Sequence, residues 1–124
     1  MKTLIFSILI ILAYNISYSQ TEISSNKAKY YVGEYVTVTG KVKEIKESCA
    51  GNIFLNIENK YPDNPLTIVI YASDCDDIQS DLSTNWLNLL DETITVSGII
   101  ENYQDKPEII LEKAGQIVGI DLYK

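Results

Sequence analysis

The chain has 124 residues, enough for one domain with its own core and too few for two. Its charged residues are ten lysines against seventeen Asp and Glu, it has no His and no Arg, and its net charge is −7. Strong acidity disfavours extended contact with phosphate backbones or anionic membranes, and the lack of His removes the usual general base. There is no phosphate loop, zinc spacing or nucleophile elbow. We therefore predict a non-enzymatic protein with no metal or other cofactor.

The N-terminus has the pattern of a secretory signal peptide. Lys2 is followed by an apolar run from Leu4 to Ala13 and a polar stretch with small residues at Ser17 and Ser19. The run is shorter than the roughly twenty apolar residues of a membrane helix. We predict that residues 1–19 are removed and that the protein is periplasmic or secreted, with no stable membrane insertion. The mature chain keeps nine lysines and all seventeen acidic residues, a net charge of −8.

Three strands are predicted in the first half of the mature chain. Residues 20–33 are polar without a clear period and are interpreted as an N-terminal lead-in to a domain over 34–124. Apolar and polar residues alternate from Tyr35 to Lys43, which predicts a first strand. The same alternation predicts a second strand over 53–57 and a third over 66–71, separated by turn-forming residues 59–65.

A helix and two further strands are predicted after residue 75. Asp76 or Asp77 is the expected N-cap, and Ile78, Leu82 and Trp86 recur at helical spacing. A fourth strand is predicted over 93–103 and, after a turn at 104–107, a fifth over 108–112.

The first and fourth strands echo each other. Residues 34–42 match residues 92–100 position by position, and each strand carries a central glycine, Gly40 or Gly98. Glycine inside a strand marks a bulge or sharp bend, so we expect two bent neighbours that close a small barrel. Five strands with a helix between the third and fourth predict an OB-fold barrel, one end of which Trp86 would plug.

Two cysteines in an exported domain predict one disulfide. If Ile57 pairs with Leu66 in an antiparallel hairpin, Ile53 pairs with Ile70, and Cys49 falls almost opposite Cys75. We therefore predict a Cys49–Cys75 bond.

An acidic cluster precedes the predicted helix. Asp74, Asp76 and Asp77, with Asp81 further on, offer the carboxylates that calcium favours, but without the spaced loop of a dedicated site. Acidic residues also favour a helix N-terminus. We favour this second role, and whether the cluster binds a cation stays open.

Several segments resemble bacterial OB-fold modules of the nucleic-acid-binding type, over most of residues 34–117. The similar segments are GNIFLNI at 51–57, Tyr61-Pro62, LTIVI at 66–70, YQDKPEIIL at 103–111 and Gln116-Ile117.

The resemblance implies single-stranded nucleic-acid binding on the outer face of the second and third strands. The residues expected on this face are Phe54, Asn56, Thr67, Val69 and Tyr71. Phe54 and Tyr71 would stack on bases, and Lys43, Lys46 and Lys106 would approach phosphates. The acidic charge and predicted export favour an alternative, a module that binds a protein or an oligosaccharide.

Overall fold

The computed structural model describes residues 21–121, so the predicted signal peptide lies outside the described residues. Seven strands run through this range, and a single α-helix, α1, lies between β4 and β5. Short 3-10 helices occupy Ser25–Tyr30, Trp86–Leu89 and Ala114–Gln116. No helix within residues 21–121 is long and apolar enough to cross a membrane. The strands and α1 are β1 Thr21–Ser24, β2 Tyr35–Glu47, β3 Ile53–Ile57, β4 Leu66–Ile70, α1 Ala72–Leu82, β5 Thr93–Tyr103, β6 Lys106–Ile110 and β7 Ile117–Asp121.

The β3–β4 hairpin has the predicted register. Ile53 pairs with Ile70 and Ile57 with Leu66, so Leu55 and Ile68 lie opposite each other. These six residues are buried, which places the apolar face of both strands inside the barrel.

β2 and β5 are antiparallel neighbours, as the sequence echo predicts. Val36 pairs with Gly98, Val38 with Val96 and Gly40 with Ile94. A methyl group added at Gly98 would lie 2.7 Å from Ile109 Cγ2, and one added at Gly40 would collide with Ile57 Cγ2. Both glycines therefore allow a bent strand to pass close to a neighbouring side chain.

The barrel has more strands than predicted. The order β1-β2-β3-β4-β6-β5-β7, with β2 also paired to β5, closes the central strands and adds β1 and β7 beside β2 and β5. β1, which lies within the predicted lead-in, runs parallel to β2, and β7 runs antiparallel to β5. The five-strand prediction is therefore incomplete, because these short strands are defined by pairing with partners distant in sequence.

The helix begins earlier and ends earlier than predicted. α1 starts at Ala72 with Tyr71 as its N-cap residue, so neither Asp76 nor Asp77 caps it. It ends at Leu82, where Ser83 adopts a left-handed conformation, and Trp86 lies on a separate 3-10 helix. Trp86 is 4% exposed and belongs to the same buried cluster as Ile78, Leu89 and the barrel strands.

The predicted disulfide is not formed: Cys49 and Cys75 are free thiols. The prediction extended the β3–β4 ladder past Ile70, but α1 starts there and carries Cys75 into the core, where it is 8% exposed. Cys49 lies in the exposed turn before Gly51, outside any strand. Burial, followed by the charge of Asp76, raises the pKa of the Cys75 thiol above its ordinary value.

We expect the two thiols to react at very different rates. A maleimide should label the exposed Cys49 within minutes in the native protein and label Cys75 only after denaturation, because burial and a raised pKa both suppress its thiolate. Mass spectrometry after timed labelling measures this, and Cys49→Ser should abolish the fast reaction. Failure of either thiol to react in the denatured, unreduced protein would instead indicate a disulfide.

Candidate ligand-binding cleft

A bulge in β2 determines which of its side chains share a face with β3. Val42 pairs with Ile57 but Glu44 pairs with Asn56, so Lys43 is an extra residue in the ladder. Beyond the bulge, Glu44 and Lys46 therefore lie on the outer face beside Asn56 and Phe54.

A cleft of about 230 Å³ opens on this outer face. It lies where β3, β4, β6 and the end of β5 meet, and we call it the aromatic cleft. Two lysines lie among its lining residues, and both come from the predicted set. The lining residues are Lys46, Phe54, Asn56, Tyr61, Thr67, Tyr103, Gln104, Lys106, Pro107 and Glu108.

A tight turn builds one wall of the aromatic cleft. Gln104 and Asp105 both have positive φ, 50° and 64°, and Tyr103 pairs directly with Lys106. This is the two-residue geometry that matches the twist of a hairpin. β6 therefore starts at Lys106 rather than at Glu108, and Tyr103, which is 61% exposed, stands beside Lys106 on the cleft wall.

The opposite wall is held by Glu44. Its Oε1 accepts hydrogen bonds from the backbone N–H of Tyr61 (3.1 Å) and from Asn56 Nδ2 (2.8 Å). These two bonds hold the pKa of the Glu44 carboxyl below its usual value. Lys106 adds a third contact, since its ammonium donates to the Pro62 carbonyl and lies 5.5 Å from the Tyr61 ring centroid. The loop carrying Tyr61 is thus tied to β2, β3 and β6.

Asn56 and Thr67 form a polar network beneath the cleft. The Thr67 hydroxyl donates to Asn56 Oδ1 (3.0 Å) and accepts from Asn64 Nδ2 (2.7 Å). Asn56 is 2% exposed, and both ends of its side-chain amide are already hydrogen-bonded: Nδ2 donates to Glu44 and Oδ1 accepts from Thr67. Asn56 and Thr67 both line the cleft, and their hydrogen bonds also hold the loop between β3 and β4 in place.

A second hollow of about 250 Å³ continues from the aromatic cleft. Phe54, Tyr103 and Glu108 line both, and the second adds Val69 and Tyr71. Tyr71 is 45% exposed, whereas Val69 is 3% exposed and offers little surface to a ligand.

Seven of the eight predicted ligand residues therefore line this connected surface. Lys43 does not line it. Lys43 is the bulged residue of β2, and its Nζ forms an ion pair with Asp91 Oδ1 at 3.2 Å. The prediction missed Tyr61, Tyr103 and Glu108. The sequence analysis predicted a four-residue turn at 104–107. A two-residue turn at 104–105, as the structure has, would have predicted that Tyr103 and Glu108 lie on the same face as Lys106.

Glu108 brings a negative charge into the cleft. It pairs with Glu101 across the β5–β6 ladder and lies beside Thr67 of the parallel strand β4. Burial, and then the charge of Glu101, raise the pKa of the Glu108 carboxyl above its ordinary value.

The acidic cluster at the start of α1 forms no arranged metal site. Within residues 21–121, no group of three or more His, Cys, Asp or Glu side chains is placed to hold an ion. Asp74 lies in the first turn of α1, where its negative charge interacts favourably with the positive end of the helix dipole.

Comparison with known proteins identifies the fold. Neither a protein-family model nor a curated protein matches this sequence. Among solved structures, an aspartyl-tRNA synthetase from Entamoeba histolytica is similar at TM-score 0.55 and 12% identity, covering 88% of this chain; this chain spans 23% of that synthetase.

Two other similar structures are closer to this chain in length. The OBody AM1L10 bound to hen egg-white lysozyme has TM-score 0.55 and 12% identity, covering 86% of this chain and 95% of its own. The structure of yeast Stn1 and Ten1 has TM-score 0.52 and 10% identity, and the match covers 87% of this chain and 65% of the matched chain. At these identities the similarity shows the fold alone, an OB-like barrel with one helix.

Proposed function

We propose that this chain is a non-catalytic OB-fold module of an extracytoplasmic space that binds single-stranded nucleic acid in the aromatic cleft. The observation that carries the proposal is the grouping of Phe54, Tyr61 and Tyr103 between Lys46 and Lys106 on one outer face. Export is supported by the signal-like pattern of residues 1–19.

The geometry suits unstacked bases. Tyr61 and Tyr103 are 55% and 61% exposed, so much of each side chain is accessible to a ligand. Stacking on such rings is tolerant of base identity because every base has a π-face. The two adjoining hollows, of about 230 and 250 Å³, offer neighbouring places for bases along an unstacked strand.

The charges limit how many phosphates the cleft can neutralise. Among residues 21–121, two lysines line it, Lys46 and Lys106, and the Lys46 ammonium lies 4.0 Å from Glu44 Oε2. This weak positive potential favours the second candidate, an oligosaccharide or protein ligand, which aromatic rings and neutral polar groups also suit. The response to salt separates the two candidates.

The deciding experiment is a fluorescence-anisotropy titration of residues 20–124 with labelled single-stranded DNA and RNA over a salt series. We expect micromolar binding whose log–log salt slope is about −1.4, because two lysines neutralise two phosphates at about 0.7 each on a single strand. Duplex DNA of the same length is the matched control and should bind more weakly, since its bases cannot reach the rings. No binding at low salt would overturn the nucleic-acid proposal and favour the second candidate.

A further inference from the structure

Glu108 lines both parts of the proposed ligand surface. It shares the aromatic cleft and the second hollow with Phe54 and Tyr103. Its position on β6, beside Thr67 and opposite Glu101, is determined by the pairing of three strands. A base stacked on Phe54 or Tyr103 would therefore lie in a hollow that Glu108 also lines.

The Glu108 carboxylate has no partner of its own. Within residues 21–121 it makes no hydrogen bond and no ion pair. The nearby cations are engaged elsewhere: the Lys106 ammonium donates to the Pro62 carbonyl, and the Lys46 ammonium lies beside Glu44. The raised pKa of Glu108 has the same cause, since burial and a neighbouring acid act without a compensating cation.

An unpartnered carboxylate at this position discriminates between parts of a nucleotide. It repels phosphate, so phosphates are expected at the rim beside Lys46 and Lys106. It accepts hydrogen bonds, so it favours a base edge that carries an amino group, as Glu and Asp do with the N4 amino group of cytosine. The carbonyl at the same position of uracil offers only a second acceptor.

We propose that Glu108 gives the aromatic cleft a preference for bases with an amino group on their pairing edge, cytosine above uracil. This inference rests on the proposed function and adds base selectivity to a stacking surface that would otherwise tolerate any base.

The test compares oligo-dC with oligo-dU of equal length by fluorescence anisotropy at pH 7.5. These bases have one ring of the same size and differ only at position 4, an amino group against a carbonyl, and at the adjacent N3, so stacking is closely matched. We expect the wild-type protein to bind oligo-dC on the order of tenfold more tightly. Glu108→Gln should reduce the ratio to near one, because an amide can accept from cytosine or donate to uracil.

Glu101→Gln is the matched control. It removes the same charge from the neighbouring strand, but Glu101 lines neither hollow, so the preference for oligo-dC should remain. Thermal unfolding shows that each variant is folded. Glu108→Gln should be at least as stable as wild type at pH 7.5, because a raised folded-state pKa means that stability falls as pH rises and the carboxyl ionises.

Each other outcome has a distinct meaning. Equal wild-type affinity for the two oligonucleotides would overturn the role of Glu108 and leave the proposed function intact. A preference that survives Glu108→Gln would also overturn it, because the selectivity would then arise elsewhere. Binding of neither oligonucleotide would overturn the proposed function and this inference with it.

Discussion

Replacing Phe54 and Tyr103 together by alanine is expected to weaken single-stranded DNA binding by roughly a hundredfold or more. Both rings line the aromatic cleft and the second hollow, and stacking of one base on one ring is worth about 1–3 kcal/mol. Tyr103 is 61% exposed and neither ring belongs to the buried core cluster, so the double variant should still fold. Anisotropy titration at low salt measures the loss, and circular dichroism checks the fold.

Tyr30→Ala is the matched control for this double variant. Tyr30 is 66% exposed and lies beside two lysines, with Lys29 Nζ 5.1 Å from its ring centroid, but on the 3-10 helix at 25–30. It lines neither hollow, so the affinity should not change. If Tyr30→Ala weakened binding and the double variant did not, nucleic acid would bind instead beside Tyr30, whose ring lies close to Lys27 and Lys29.

Gly40→Ala is expected to lower the free energy of unfolding by about 1–3 kcal/mol, the cost of overpacking a tight core. The new methyl group would collide with Ile57 Cγ2 and lie 3.1 Å from both Glu58 Oε1 and Ser25 Oγ, where β2 crosses the end of β3. For a domain of this size the midpoint of thermal unfolding should fall by roughly 5–20 °C. Urea denaturation measures the free energy directly.

Gly115→Ala provides the control for the alanine substitution itself. Nothing lies within 4 Å of a methyl group at this position, and its φ is not in the left-handed region. The variant should match wild type or gain up to about 1 kcal/mol, because alanine restricts the unfolded chain. Similar losses at Gly40 and Gly115 would contradict a specific crossing at Gly40.

The strands that form the centre of the barrel were predictable from local pattern. Alternation in β3 and β4 fixed their register to the residue, because a slip of one position would turn every apolar side chain outward. The echo around Gly40 and Gly98 predicted the pairing of β2 with β5, since a glycine is required where each bent strand meets a neighbour.

Features that depend on distant partners were not predictable in this way. β1 is only four residues long and is largely exposed, and β7 contains a glycine, so neither has a strong pattern of its own. The bulge at Lys43 changes which residues of β2 face outward, and no local sequence pattern predicts this bulge. The Cys49–Cys75 prediction was wrong for a related reason: it continued a ladder into residues that form the first turn of α1.

Most of the predicted ligand residues lie together on one face, but that set contained no acidic residue. Phe54, Lys46 and Lys106 meet there together with the predicted Asn56 and Thr67. Glu108, whose negative charge opposes a phosphate ligand, lies among them and was not predicted.

The hydrogen bonds from Glu44 to the Tyr61 loop also bear on the energetics of association. Glu44 and Lys106 hold the Tyr61 loop through contacts within the protein, so this wall has lost part of its conformational freedom during folding. A ligand then bears less of the ordering cost, about 0.5–1.5 kcal/mol for each side chain immobilised on binding. A shallow surface built this way would gain affinity for the proposed ligand from preorganisation rather than from buried area.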